Sequence, residues 1–354
     1  MLKGTKINNN KRFMFNFCLC LALIMLLGCS KKRTPLGNIP VPKMPDKVDL
    51  LPSVINVKYH EGVSGVDSCK SCHSEIHAEW QKSFHSKSTH SEAFKKQSDN
   101  FAFKGCVSCH APEAPNFDAN RPQARSWKVH EGVTCSACHV VGNRTLGTLG
   151  SNAPHRTFKE EKLRTELACI SCHQQTVEQW RVSSFKEQNI SCQQCHMPYK
   201  RRFISDFHKL YNKKDSRSHT FEIDFNNCLK LDLNVSKLTG QIQLKASNIG
   251  AGHSIPTGIY GDAALFLEFS VLKGSSVVFF REERLSSQDK TAIPVDGHRI
   301  FFYNFRAKPG EKYLVRARAI FNSSNYLEDK ILDEIEQPLQ TTMQDTQRKK
   351  FLLH

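Results

Sequence analysis

The chain has 354 residues, 24% of them charged, and its formal net charge is +16 at pH 7. Such an excess of basic residues suits a nucleic-acid-binding protein, but no nucleic-acid-binding motif accompanies it, so we exclude nucleic acid as a partner. The other unusual feature is a count of 14 cysteines, which are spread unevenly along the chain.

The first 28 residues predict a signal peptide for export. Four basic residues precede an apolar run over 13–27, which is too short to favour a membrane-spanning helix. The run ends in Leu-Leu-Gly-Cys at 26–29, which resembles a bacterial lipobox and predicts a lipid on Cys29. An ordinary signal peptide or an uncleaved anchor is the alternative. We expect an exported lipoprotein on the periplasmic side of a bacterial membrane, which is either the inner or the outer membrane.

The composition changes twice after the signal. Residues 29–58 contain five prolines and little periodicity, which predicts an extended tether between the lipid and the globular part. Residues 59–220 contain many polar residues and few aliphatic runs, so this segment cannot bury enough apolar surface to fold by itself. Ten of the 14 cysteines lie in it.

These ten cysteines form five copies of the motif Cys-x-x-Cys-His. The copies combine Cys69 and Cys72 with His73, Cys106 and Cys109 with His110, Cys135 and Cys138 with His139, Cys169 and Cys172 with His173, and Cys192 and Cys195 with His196. The motif is the attachment signature of a c-type haem: the two thiols form thioether bonds to the porphyrin, and the histidine binds the iron. We therefore predict five covalently attached haem c groups, which supply much of the core of 59–220.

Structural zinc and a disulfide framework are the alternatives to haem. Zinc ribbons also use paired Cys-x-x-Cys motifs, but each zinc takes two pairs, and five pairs leave one unmatched. Neither zinc nor disulfide bonds require a histidine directly after every second cysteine. Haem accounts for both observations, and we favour it.

After residue 220 the sequence predicts β-structure. Short alternating or β-rich runs occur at 229–235, 241–246, 265–272, 277–280, 301–305 and 312–320, with turn signals between them. Their spacing predicts a small β-sandwich over 221–325. A short amphipathic helix at 326–335 and a polar tail to residue 354 complete the prediction. The fold class is α+β: a mostly helical or irregular multihaem domain built around stacked haems, followed by a small β-sandwich-like domain.

Eleven histidines lie outside the motifs and compete for the second axial position of the five irons. Methionine is a poor competitor, so we expect two histidine ligands at most haems, which favours low reduction potentials. For each candidate, the alternative interpretation is a histidine that lies on the surface or one that is bonded to a haem propionate. The strongest candidates are His85, His130, His155, His208, His219 and His253.

A repeat relates two stretches of the predicted haem domain, 72–85 and 172–185. Trp80 matches Trp180 and Ser83 matches Ser183, so both stretches predict a similar helix after the motif. His85, however, is matched by Phe185. This exchange motivates the hypothesis that one haem lacks a histidine on its second face, which is the minimum requirement for small-molecule chemistry at the iron.

Four patterns connect the motifs to a known family. They are Trp-x-x-Ser-x-His at 80–85 after the first motif, His-Glu-Gly-Val-Thr-Cys at 130–135, Cys-His-Met-Pro at 195–198 and Gly-His-Ser-Ile-Pro-Thr-Gly at 252–258. With them, residues 60–260 resemble the multihaem cytochromes of the cytochrome c-554 family and the related octahaem reductases. The resemblance implies closely stacked haems that pass electrons, most of them with two histidine ligands. The chain departs from it in having five motifs rather than four or eight, and in Phe185.

Two classes of function follow. The favoured one is an electron-transfer lipoprotein that serves periplasmic or membrane redox partner proteins, whether directly or with the β-domain as the docking part. The alternative is a reductase or oxidase of a small nitrogen or sulfur oxyanion at one open haem. Residues 1–28 hold four positive and no negative charges, so the remainder carries +12. Ten haem propionates would offset much of this charge, and the remaining positive patches suit an acidic redox partner.

Overall fold

The computed structural model describes residues 65–340 apart from 119, 152–154, 207–212, 237–239, 259–262 and 323–327. The described residues fall in one compact unit. We call 65–220, which carries the five motifs, the motif region, and 229–340 the β region. The predicted signal peptide, the whole of the predicted tether, Cys29, His208 and the tail beyond residue 340 lie outside the described residues.

The motif region consists of short helices joined by loops. Its described α-helices are α1 (Val66–Lys70), α2 (Ser74–Lys82), α3 (Phe84–Lys87), α4 (Glu92–Gln97), α5 (Lys104–His110), α6 (Ser136–His139), α7 (Gln174–Arg181), α8 (Ser184–Glu187) and α9 (Cys192–His196). Single 3₁₀ turns lie at Val129–Glu131, Glu161–Arg164 and Glu166–Ala168. Serine side chains begin several of these helices: the hydroxyls of Ser83, Ser91 and Ser183 each accept a bond from a backbone N–H of the first turn.

Two small sheets complete the motif region. The first contains β1 (Val140–Val141), β2 (Arg144–Gly147) and β3 (Thr157–Lys159), and the second is the antiparallel pair β4 (Tyr199–Arg202) and β5 (Lys214–Arg217). None of the described helices, the longest of which has nine residues, has the length and apolarity needed to cross a membrane.

The β region consists of two antiparallel sheets. Its strands are β6 (Leu229–Val235), β7 (Gln241–Asn248), β8 (Ala264–Lys273), β9 (Ser276–Leu285), β10 (His298–Asn304), β11 (Lys312–Asn322) and β12 (Lys330–Gln340). The strand orders are β10-β7-β6 and β12-β11-β8-β9. Alternate side chains of each sheet point inward, as Ile242, Leu244 and Ala246 do on β7, and the two faces share one apolar core. The predicted α+β fold with a C-terminal sandwich is confirmed.

The predicted helix at 326–335 is wrong in its described part, because residues 330–335 belong to strand β12. The register of β12 against β11 shifts at Ala319/Ile320, where Leu332 is the extra residue of a bulge. Leu332 and Ile335 both pack against the core, and Leu339 is buried further along. The bulge gives these apolar residues a spacing of three and four, which imitates one face of a helix.

Candidate haem-attachment sites

One helical turn brings the ends of each motif together. In the first, third and fourth motifs, the histidine N–H donates to the carbonyl of the first cysteine at 2.8 Å for His73 and 2.9 Å for His139 and His173. The second and fifth motifs end α5 and form α9. A helical turn places both thiols on one side and the imidazole next to them, as attachment to one porphyrin edge and its iron requires.

The orientation of the motif histidines is set by backbone carbonyls. Nδ1 of His73, His110, His139 and His196 lies 2.6–2.9 Å from a carbonyl oxygen. The accepting carbonyls belong to Ile204, Ser88, Leu146 and Glu222. A carbonyl can only accept, so Nδ1 carries the proton and donates, and Nε2 keeps its lone pair. This is the arrangement found around histidines that bind metals.

Four motif histidines each lie opposite a second histidine at the same separation. The pairs, all with ring centroids 6.2 Å apart, are His73 with His155, His139 with His219, His173 with His85, and His196 with His253. Two metal–imidazole bonds of about 2 Å, each with about 1.1 Å from the coordinating nitrogen to the ring centre, place two ring centres about 6.2 Å apart. The residues therefore fit an iron held between two imidazoles.

Burial favours the neutral form of several of the paired rings. It lowers the pKa of His85 to about 3 and that of His219 to about 4, with smaller contributions from neighbouring histidines. Burial also lowers the pKa of His173 and His253. A neutral imidazole at pH 7 is the form that binds a metal.

The angle between ring planes differs from pair to pair. It is 66° for His73–His155, 49° for His85–His173, 34° for His139–His219 and 15° for His196–His253. The four pairs therefore differ in the mutual orientation of their rings, although the separation of the ring centroids is the same.

His110 differs from the other motif histidines. Within the part of the chain that the structure describes, no second histidine lies opposite its ring. Instead the ring of Phe94 stacks on it, with centroids 4.3 Å apart and 26° between the planes. Phe94 packs on one face of the imidazole, and the carbonyl of Ser88 accepts a hydrogen bond from its Nδ1.

The repeat inferred from the sequence is present in three dimensions. Trp80 donates from Nε1 to the carbonyl of Val133, and Trp180 donates to that of Ile190. The hydroxyls of Ser83 and Ser183 donate to the carbonyls of Trp80 and Trp180 in the same way. Helices α2 and α7 are therefore equivalent supports, each leading from a motif into a short serine-capped helix.

Two residues that sequence reasoning missed occupy equivalent places in this repeat. Oε2 of Glu79 accepts from the backbone N–H of His219 at 2.9 Å, and Oε1 of Gln179 accepts from that of Ser254 at 3.0 Å, next to His253. Each of the two side chains thus holds a segment that carries one of the paired histidines. A signal was available, since both residues directly precede the matched tryptophans.

Phe185 lies under the loop that carries His253. A Cβ added to Gly252 would lie 3.3 Å from Phe185 and 3.2 Å from Trp180, so the loop packs tightly on α7 and α8, and a larger residue would require these side chains to shift by a few tenths of an ångström. The ring of Phe185 thus packs against this loop, whereas His85, the equivalent residue of the first repeat, faces His173. Among the described residues it is His110, and not a histidine near Phe185, that has no histidine opposite it.

Thiols of different motifs touch one another. The side chains of Cys69 and Cys135, of Cys109 and Cys172, and of Cys169 and Cys192 lie within interaction distance of each other. These contacts join the first motif to the third, the second to the fourth and the fourth to the fifth. Phe221 adds a link, since its ring lies 4.2 Å from that of His85 and 6.1 Å from that of His219.

Of the six predicted second ligands, the structure brings four, His85, His155, His219 and His253, opposite a motif histidine. His130 lies in a 3₁₀ turn, where its carbonyl accepts from Thr89 and His90; its ring is paired with no described motif histidine. His208 lies outside the described residues.

Comparison with known proteins agrees with the motifs. Residues 68–140, which contain the first three motifs, match the family described as cytochrome c554 and c-prime. The predicted resemblance to that family is confirmed. No curated protein gives a significant match.

Among solved structures, the fold is similar to that of a penta-heme cytochrome c552 from Thermochromatium tepidum. The two share 16% sequence identity and a TM-score of 0.56 over 78% of this chain and 99% of the other. A DUF3823 family protein from Bacteroides uniformis also matches, with 18% identity and a TM-score of 0.22 over 32% of this chain and 56% of that one. The second similarity is too low to support a conclusion.

Proposed function

We propose that this multihaem c-type cytochrome carries five haems and transfers electrons between redox partner proteins on the periplasmic side of a bacterial membrane. The supporting observation is the set of four histidine pairs, each with ring centroids 6.2 Å apart. Haem c would supply the one-electron chemistry of its iron, and an iron held by the two histidines of a pair would have no position left for a substrate, which suits electron transfer. The four pairs are the proposed axial ligands.

Contacts between the motifs support a continuous route. The thiol contacts connect the fourth motif to the second and to the fifth, and the first motif to the third. Phe221 touches both His85 and His219, which connects these two groups. The proposed route therefore has the fourth motif as its branch point.

Mass spectrometry and spectroscopy of the purified protein test the proposal. We expect five haem additions and a ferric spectrum in which four haems are low-spin and six-coordinate. Replacing His253 with alanine should convert one of the four to a high-spin signal. The matched variant His298→Ala, at an exposed histidine of the same region, should leave the spectrum unchanged. Fewer than five additions, or a His253→Ala spectrum like that of the parent, contradicts the proposal.

A second candidate function is supported by His110. With no described histidine opposite its ring, the site of the second motif is the place for an open iron, and a reductase or oxidase of a small nitrogen or sulfur oxyanion would use it. Carbon monoxide decides between the functions. Binding of one carbon monoxide per five haems, lost in a Cys106→Ser/Cys109→Ser variant, together with turnover of nitrite or sulfite, supports the enzyme. If the protein binds no carbon monoxide, the enzyme function is contradicted and electron transfer is the remaining proposal.

Membrane attachment through Cys29 is also part of the proposal. Because c-type cytochromes are exported, the lipobox at 26–29 would be processed on the far side of the inner membrane. A Cys29→Ala variant should appear in the soluble periplasmic fraction, and the control Cys18→Ala should stay with the membranes. Release of both variants, or of neither, contradicts lipid anchoring at Cys29.

The hairpin of β4 and β5 is the surface we propose for an acidic redox partner. Its residues Lys200, Arg201, Lys213 and Lys214 are exposed, and its loop carbonyl at Ile204 accepts from His73. The charge on this hairpin lies close to two of the four pairs, because the backbone carbonyl of Arg217 also accepts a hydrogen bond from Nδ1 of His219. Reduction by an acidic ferredoxin should slow at least tenfold on charge reversal of Lys213 and Lys214 at low salt. An equal effect from reversal of the exposed Lys290 and Lys312 contradicts this placement.

A further inference from the structure

We propose that Glu79 and Gln179 are positioning residues that fix the second histidine at two of the haem sites. The proposal rests on the ligation proposed above. It concerns two side chains that hold the ligand-bearing segments and do not themselves reach an iron. They stand at the same position of the repeat, each directly before the tryptophan of α2 or α7.

Glu79 holds His219 at its backbone. The carboxylate is buried, with 8% of the residue exposed, and its Oε2 accepts from the N–H of His219 at 2.9 Å and from Arg202. Arg202 also donates to the carbonyl of Arg217, and that carbonyl accepts from Nδ1 of His219 at 3.0 Å. Glu79 and its ion pair thus restrain the backbone and the ring of the same histidine.

Gln179 does the equivalent for His253. Its Oε1 accepts from the N–H of Ser254 and from the hydroxyl of Thr257, both at 3.0 Å. The carbonyl of Ser254 accepts from Nδ1 of His253 at 3.0 Å. One residue, Ser254, therefore joins the glutamine to the histidine ring, and the glutamine holds the loop from the side of α7.

Each of the two sites has a side-chain oxygen that accepts a hydrogen bond, but only the oxygen of Glu79 belongs to a charged group. Glu79 also faces the ammonium group of Lys200, with Oε1 and Nζ 3.3 Å apart, and lies against Arg202, whereas Gln179 is neutral and contacts hydroxyl and backbone groups. The common feature is an oxygen at one place in the repeat. We infer that this oxygen positions the ligand, and that the charge of Glu79 is a separate influence on the potential of its site.

Substitutions that exchange the two residue types separate position from charge. Glu79→Gln keeps an acceptor oxygen and removes a negative charge, Gln179→Glu keeps the oxygen and adds one, and Glu79→Leu and Gln179→Leu remove the oxygen. Glu75→Leu, at an exposed glutamate on the same helix as Glu79, is the control. The holoproteins are compared by electron paramagnetic resonance and by redox titration of each haem.

We expect the two exchange variants to retain all four low-spin signals of the parent. The potential of one haem should rise in Glu79→Gln, because Arg202 and Lys200 lose their counter-charge, and the potential of a different haem should fall in Gln179→Glu. Each leucine variant should lose or shift one low-spin signal, a different one in each case. Glu75→Leu should leave signals and potentials unchanged.

Leucine variants with all four parental signals would overturn the positioning role, even if a potential moves. If the Glu79→Leu protein does not accumulate, the Gln179→Leu variant alone tests the positioning role. This second variant leaves no buried charged group without its partner. Failure of the ligation itself is distinguishable, since the parent protein would then lack four low-spin signals before any substitution is made.

Discussion

The motif region and the β region are stabilised in different ways. Of the 16 polar or charged residues that are buried in the described structure, 14 lie in the motif region, and only Asn248 and Ser286 lie in the β region. Apolar burial has the opposite distribution. The one large apolar cluster of the described residues runs from Leu229 to Leu339, and the buried apolar residues of the motif region lie apart from it.

This difference shows what each region needs in order to fold. The β region buries aliphatic and aromatic side chains between two sheets, which is sufficient for stability because apolar burial is the main favourable contribution to folding. The motif region has short helices, and its buried polar side chains are nine hydroxyls, two arginines, His77, Glu79 and Gln193. On the proposed function, the porphyrins would supply the apolar contact that this region lacks. His253 joins the two, since it belongs to the loop between β7 and β8 but faces His196 of the motif region.

The largest expected effect follows from withholding haem. In a chain produced without the haem attachment machinery, the helices of the motif region should be lost, whereas the strands of the β region should persist because their core contains no motif residue. Amide hydrogen exchange measured by mass spectrometry should show rapid exchange over 66–196 and protection over 229–340. Protected helices in the haem-free chain would show that the motif region folds on protein contacts alone.

A truncation in the apolar core tests the β region. Phe269 is fully buried and stacks on Tyr303 with centroids 4.3 Å apart, so Phe269→Ala should lower the free energy of unfolding of the β strands by about 3–5 kcal/mol. The control Phe280→Ala, at a residue that is 47% exposed, should stay within about 0.5 kcal/mol. The denaturant dependence of amide exchange measures both. Equal effects would contradict the assignment of Phe269 to the core.

The corresponding test in the motif region is a polar residue. Arg125 is fully buried and donates to the carbonyls of Pro112, Trp127, Lys128 and Gly132 and to the hydroxyl of Thr134. Arg125→Met leaves these acceptors unpaired and should cost about 1–3 kcal/mol. Thermal denaturation followed at the Soret band measures the change. The exposed Arg121→Met serves as the control, and an equal loss there would remove the distinction.

The smallest effect is expected from an unpaired hydroxyl. Tyr303 is buried in the β region, burial raises its pKa, and its hydroxyl has no hydrogen-bond partner among the described residues. Tyr303→Phe should therefore be neutral or stabilising by up to about 1 kcal/mol. The matched change Tyr313→Phe removes a bond to Glu311 and should destabilise by a similar amount. Urea unfolding compares the two, and a loss of stability in Tyr303→Phe contradicts the prediction.

The sequence was sufficient where chemistry acts between neighbours in the chain. The five motifs are local, and the strands of the β region alternate visibly, so both could be predicted. The pairing of each motif with a second histidine could not be predicted, because His85 and His173, for example, are 88 residues apart and meet only through tertiary structure. The carbonyls that orient the motif histidines have no side-chain signature at all. Strand β12 was missed because a bulge at Leu332 gave its apolar residues a helical spacing.

The position of His253 also sets an order for the assembly of the molecule. Thioether bonds at Cys192 and Cys195 need only the chain up to His196, but the histidine opposite lies 57 residues further on, after β6 and β7. Export delivers the chain from its N-terminus, so the proposed ligand pair of the fifth motif is the last of the four to close. On the proposed ligation, a molecule whose β region is truncated would keep a covalently attached iron with one histidine ligand, so the fifth site would need the chain as far as His253 to be complete.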